Sequence, residues 1–135
     1  MKRLSFPAIL LLAGCAATPP AACPLPGMRS MLDIHLMFGL TRPDQSRISE
    51  AEWDRFLAAT ITPAFPDGLS VLTAEGQWRD RRSDVIGREA SRLVRIVTPP
   101  DAGLAGKIEA IRAAYKAQFA QQSVGLVIER GCADF

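Results

Sequence analysis

From Phe65 to Asp80 the chain reads Phe-Pro-Asp-Gly-Leu-Ser-Val-Leu-Thr-Ala-Glu-Gly-Gln-Trp-Arg-Asp, and no other stretch restricts the fold as strongly. Proline presets φ at the second position of a turn, and Asp and Gly suit the third and fourth, so Pro66-Asp67-Gly68 predicts a tight reversal. Apolar residues then recur as in a strand from Leu69 to about Arg79, the longest strand expected in the chain. Glycine inside a strand marks a bulge or a close backbone approach, so Gly76 predicts a bulge, with a turn at Ala74-Glu75-Gly76 as the alternative. Asp80-Arg81-Arg82-Ser83-Asp84 makes a polar hairpin tip, and the chain returns from Val85 to Val97. The segments on either side must therefore pack around a long central hairpin.

Before the hairpin the pattern gives a strand and a helix. Leu32, Ile34, Leu36 and Phe38 alternate with Asp33, His35 and Met37, the pattern of a half-buried strand over Met31–Leu40. Ile48-Ser49-Glu50-Ala51-Glu52-Trp53 then opens a helix, with Ser49 and Glu52 as a capping box and Ile48 against Trp53 as a hydrophobic staple. Trp53, Phe56, Leu57, Thr60 and Ile61 form one stripe, and Pro63 is expected to stop the helix.

After the hairpin the order is mirrored. Thr98-Pro99-Pro100-Asp101 ends the strand, and Leu104, Ile108, Ile111, Tyr115 and Phe119 recur at helical spacing. Val124, Leu126 and Ile128 alternate in a last strand that leads to Gly131-Cys132. Strand, helix, strand, strand, helix, strand is the split βαβ order. It predicts an α+β, ferredoxin-like domain with a four-stranded antiparallel sheet, strand order 4-1-3-2, and two helices on one face.

The amino terminus has a different job. Lys2 and Arg3 precede an apolar run, Leu4 to Leu12, of signal-peptide length and too short to span a bilayer. It ends in Leu12-Ala13-Gly14-Cys15, which resembles the bacterial lipobox, so residues 1–14 are expected to be removed and Cys15 to carry acyl chains. Each buried CH₂ contributes about 0.8 kcal/mol, so more than one chain gives lasting attachment. Ala16 stands where a retention aspartate could have stood, which points to the outer rather than the inner membrane, with the domain facing the periplasm. Residues 15–27 are rich in Pro and Ala and read as a tether, leaving 28–135 as the domain.

The same segment sets the net charge. The chain has 16 Lys and Arg against 14 Asp and Glu, a formal net charge of +2, and Lys2 and Arg3 account for all of it. A mature chain near neutrality offers no electrostatic footing for nucleic acid or for a polybasic hold on anionic lipid. With Cys15 lipidated, Cys23 and Cys132 are either a disulfide across nearly the whole domain or two free thiols. The oxidising compartment favours the bridge, as does the order 4-1-3-2, which brings the end of strand four to the start of strand one.

Several segments together resemble the bacterial domain of unknown function 3574 family. They are Leu36-Met37-Phe38-Gly39, Ser49 to Trp53, Phe65 to Leu69, Gly76-Gln77-Trp78-Arg79-Asp80, Ile108 to Tyr115, Gln122-Ser123-Val124, and the terminal Cys132 and Phe135. The resemblance runs from about Met28 to the carboxyl terminus. It implies a small envelope protein or lipoprotein and no particular activity, cofactor or catalytic residue.

Two constellations remain as candidates for function. His35 shares a strand face with Asp33, and the expected sheet adds Arg95 and Glu129 beside Met37, Leu93, Val97 and Val127. A histidine oriented by a carboxylate is a general base, yet period two puts such pairs on any exposed strand face, and no nucleophile motif, phosphate loop or metal-ligand cluster accompanies it. Trp78, with Gln77 and Arg79 beside it and Arg95 as a fourth binding candidate, could stack on a sugar ring or grip a partner, or could simply cover the sheet edge with Arg79 and Asp80 as a solvated ion pair. The sequence favours a binding domain over an enzyme, since the enzyme reading rests on His35 and Asp33 alone. The expected partner is a second copy through the open sheet face or another envelope protein.

Overall fold

The computed structural model describes residues 23–135; the expected signal peptide, Cys15 and the tether up to residue 22 lie outside them. Strand β1 spans Arg29–Gly39, β2 Ser70–Arg79, β3 Ile86–Thr98 and β4 Gly125–Ala133. Helices α1 (Glu50–Phe56) and α2 (Thr62–Ala64) lie between β1 and β2, and α3 (Leu104–Phe119) lies between β3 and β4. All neighbouring strands are antiparallel in the order β2-β3-β1-β4, which read from the other edge is the expected 4-1-3-2. The fold is α+β, with β3 rather than β2 as the longest strand.

Alternation decides the two faces. Ile34, Leu36 and Phe38 of β1 and Val94 and Ile96 of β3 are buried under the helices. The stripe from α3, Leu104, Ile108, Ile111, Tyr115 and Phe119, is buried against them. Phe38 sits among aromatic rings, 4.7 Å from Tyr115, 5.2 Å from Trp53 and 6.2 Å from Phe56 between centroids. Such offset and edge-on pairs add to the gain from area burial. The described residues thus close their own core, and a segment of this length buries enough surface to fold alone.

The capping box at Ser49 is complete: the Glu52 N–H donates to Ser49 Oγ at 3.3 Å, and the Ser49 N–H donates to Glu52 Oε2 at 2.9 Å. Pro63, however, does not stop the helix. Between α1 and α2 the chain widens into a π-helical turn, Leu57–Ile61, with the Thr62 N–H donating to the Leu57 carbonyl, and Pro63 falls in the first turn of α2. A proline ring crowds the carbonyl four residues earlier and cannot donate to it. Widening the turn accommodates the ring without ending the helix.

The turn at Pro66-Asp67-Gly68 forms as its residues predict, with Gly68 at φ +129° and its N–H donating to the Phe65 carbonyl at 3.3 Å. Gly76 makes neither a bulge nor a turn. The β2–β3 pairing runs unbroken from Ser70↔Arg95 to Arg79↔Ile86, with Gly76 opposite Glu89. At the tip, Asp80 accepts from the backbone of Arg82 and Ser83, while Arg79 pairs with Asp84 and not with Asp80.

Cys23 and Cys132 form a disulfide with Cα atoms 5.7 Å apart, beside the paired Ser30↔Cys132 rung of β1 and β4. Residues just after Cys23 turn, the Met28 N–H donating to the Leu25 carbonyl at 3.3 Å.

The loop after β1 is tied to the capping box. Arg42 Nη2 donates to Glu52 Oε1 at 2.6 Å, its Nη1 donates to the Arg47 carbonyl, and its guanidinium lies over the Phe119 ring. The Ser49 N–H and hydroxyl, and then Arg42, hold the Glu52 carboxyl at about 2, against an ordinary 4.5. A carboxylate with a depressed folded pKa adds stability that is complete above about pH 4.5 and is lost as the pH falls towards 2. Thermal scans between pH 2 and 6 are expected to show the midpoint falling through that window. Glu52→Gln keeps the box hydrogen bonds and should flatten the fall; an unchanged slope would remove Glu52 as its source.

Candidate functional site

The open face of the sheet carries the odd-numbered residues of β1, β3 and β4 and the even-numbered residues of β2. It brings Asp33, His35, Arg95 and Glu129 together as expected: His35 lies opposite Arg95 and Val127, and Asp33 opposite Val97 and Glu129. Asp33 is the hub. Arg95 Nε and Nη2 donate to its two oxygens at 2.6–3.0 Å, and His35 Nε2 lies 3.0 Å from Oδ1. The Arg95 hydrogen bonds, more than the His35 contact, hold the Asp33 carboxyl below its usual range.

The Trp78 group is divided. Trp78 is on the open face, with its indole laid across Gly87, where an added Cβ would stand 2.6 Å from the ring. Gln77 and Arg79 point to the other side, where Gln77 Oε1 accepts from Arg88 Nε at 2.7 Å. Arg95, the fourth expected binding residue, belongs to the Asp33 network well along β3 from Trp78. Period two makes this separation unavoidable: adjacent residues of one strand cannot share a face.

Beside Trp78 the open face sinks into a cleft of about 820 Å³, within the range of small-molecule sites. Its walls are side chains lying across strand glycines. A Cβ on Gly39 would meet the Glu89 carboxylate at 2.7 Å, and one on Gly125 would meet Met37 Cε at 3.0 Å. Glu89 was not legible as a site residue, since charged residues are routine near a hairpin tip. The signal was the glycines themselves, Gly39, Gly76, Gly87 and Gly125, of which only Gly76 draws notice in the sequence.

Burial raises the Glu89 carboxyl above its ordinary range, with the Thr41 N–H pulling the other way. Behind it, Tyr115 Oη donates to the Gly39 carbonyl at 2.7 Å, and burial, aided by the Glu89 charge, pushes the phenol above its usual value. Ala120, left-handed at φ 55°, ends α3, and the next residue, Gln121, donates from Nε2 to the Thr41 carbonyl at 2.8 Å. A second cleft, of about 560 Å³, lies at the opposite end of the face beside Arg95, Met31 and Phe135. Among the described residues no group of three or more His, Cys, Asp or Glu is placed to hold a metal ion.

A family model described as "Protein of unknown function (DUF3574)" matches residues 33–135. No curated protein matches the chain. Among solved structures it is similar to a phage SAM lyase in complex with S-methyl-5'-thioadenosine, at 16% identity and a TM-score of 0.58, covering 78% of this chain and 90% of that one. It is also similar to CutA from Synechococcus elongatus, at 10% identity and a TM-score of 0.51, covering 81% and 87%. At such identities the likeness is one of fold.

Proposed function

The chain belongs to the domain of unknown function 3574 family, whose description names no activity, and on that premise we propose that it is a lipid-anchored binding domain of the bacterial envelope. It acts by association, with the open sheet face covered by a second copy. The lipobox-like Leu12-Ala13-Gly14-Cys15 supports the anchor, and Ala16 supports an outer-membrane destination.

The observation that carries the association is the apolar content of that face. Met37, Leu72, Trp78 and Val127 are 39–49% exposed on it. Apolar side chains left together on a sheet face mark a contact surface. The Asp33–Arg95 pair between them is already neutralised, so covering that pair strands neither of its own charges.

The alternative, a cofactor-free enzyme with His35 as general base, has less support. Asp33 is committed to Arg95, and neither cleft is lined by His35.

Sedimentation velocity on oxidised residues 23–135 is expected to show a dimer that dissociates on dilution. Val127→Arg, which puts a charge on the face without touching the core, should give a monomer at every concentration. A wild-type domain that stays monomeric at millimolar concentration refutes the association.

A further inference from the structure

Three arginines line the cleft at Trp78, and each already has an acidic neighbour. Arg42 is paired with Glu52 at 2.6 Å, Arg88 lies 3.9 Å from Glu75, and Arg92 is paired with Glu50. One charge is left over. Glu89, which lines the same cleft, has no basic side chain among the described residues within ion-pair distance, and the Thr41 N–H is the polar group that faces it. A half-buried carboxylate without a counter-ion is costly, and a fold that has arginines nearby could have paired it.

Its neighbour on the open face is Trp78. The two stand on adjacent same-face rungs, Gly76↔Glu89 and Trp78↔Gly87, about 7 Å apart at the usual rise per residue. Gly87 lets the indole come close against the sheet, Gly39 does the same for the carboxylate, and both side chains line the same hollow. An aromatic face attracts a cation through its quadrupole, and a carboxylate forms charge-assisted hydrogen bonds with an ammonium or guanidinium group.

We propose that this cleft is a binding site for a small organic cation with a flat or short apolar body, its ammonium or guanidinium group held by Glu89 and its body against Trp78 and Met37. The neutralised arginines on the rim do not compete for Glu89. Gln121, held by the Thr41 carbonyl, closes the side of the cleft nearest α3. Its residues come from one copy of the chain, and because Trp78 and Met37 also lie on the face that a second copy would cover, the cation and the second copy compete for them.

The test is a nuclear magnetic resonance titration of oxidised residues 23–135 with benzylammonium, its neutral counterpart benzyl alcohol, and benzoate. It is run on the wild type and on Val127→Arg, so that loss of association and loss of the cleft are read separately. Benzylammonium is expected to shift the Trp78 indole and the Gly39, Gly76 and Gly87 amides, and to bind at least about tenfold more tightly than benzyl alcohol, with benzoate weakest. Glu89→Gln should abolish that preference while leaving the core signals in place. Gly87→Ala, which lifts the indole, should weaken both benzyl ligands. Equal binding of benzylammonium and benzyl alcohol, a preference that survives Glu89→Gln, or shifts confined to residues outside the cleft would each overturn the proposal.

Discussion

Reduction of the Cys23–Cys132 bridge is expected to lower the thermal midpoint of the domain by about 20 °C. The bond joins residues 109 apart in sequence, so it closes a loop containing almost every described residue. For a loop of that length the chain-entropy argument gives about 4–5 kcal/mol, and a domain of this size loses about 4–6 °C per kcal/mol. The bridge also fixes one end of the β1–β4 ladder, where Arg29 pairs with Ala133 and Ser30 with Cys132. Without it the edge strand β4 is expected to fray from its carboxyl-terminal end. Differential scanning calorimetry with and without reductant, beside a Cys23→Ser, Cys132→Ser double variant, measures the effect. Agreement between the reduced protein and the variant assigns it to the covalent link. A loss below about 5 °C would mean that the reduced, unfolded chain keeps its ends together by other means.

Phe38→Ala is expected to cost about 3–5 kcal/mol, the range for truncating a fully buried aromatic side chain. Phe38 is 0% exposed, and its ring packs against both helical segments at once, through Trp53 and Phe56 on one side and Tyr115 on the other. Neither segment can collapse into the space without losing its seat on the sheet. Phe38→Leu keeps most of the volume and should cost about 1–1.5 kcal/mol. Urea denaturation checks both, with midpoints moving and slopes unchanged. Against a total of about 5–15 kcal/mol for a domain, the alanine variant with its disulfide reduced should be largely unfolded at 25 °C. A Phe38→Ala loss under about 1.5 kcal/mol would show that α1 and α3 can close over the cavity.

The sequence was most readable where one local rule had no competitor. Ser49 and Glu52 satisfy each other within four residues, so the helix start needs nothing from the rest of the chain. The turn at Gly68 is likewise settled by proline and glycine geometry. Pro63 shows the limit of such rules: its steric demand was real, but a π turn was a second way to meet it, and the buried Ile61 and Phe65 on either side hold the chain on the core. The strands were legible in number and order, and the burial of β1 followed from alternation, but the burial of the edge strands was not legible. Val71 is on the helical side of the sheet and yet exposed, because β2 is an edge strand that the helices do not reach. Ile128 on the opposite edge strand is exposed for the same reason.

The stretch from Phe65 to Asp80 divides along the same line. By itself the sequence determined the turn and the strand, because those depend on φ preferences and on a period of two within one segment, whereas the bulge expected at Gly76 would have put Trp78 on the opposite face. Only the tertiary structure decided that Gly76 would stand opposite Glu89 and Gly87 opposite Trp78, and that Glu89 would lie across Gly39 two strands from Trp78. Those neighbours are set by cross-strand register, which couples residues far apart in the chain through the packing of the whole sheet. No local pattern carries that information, and the cleft is made from it.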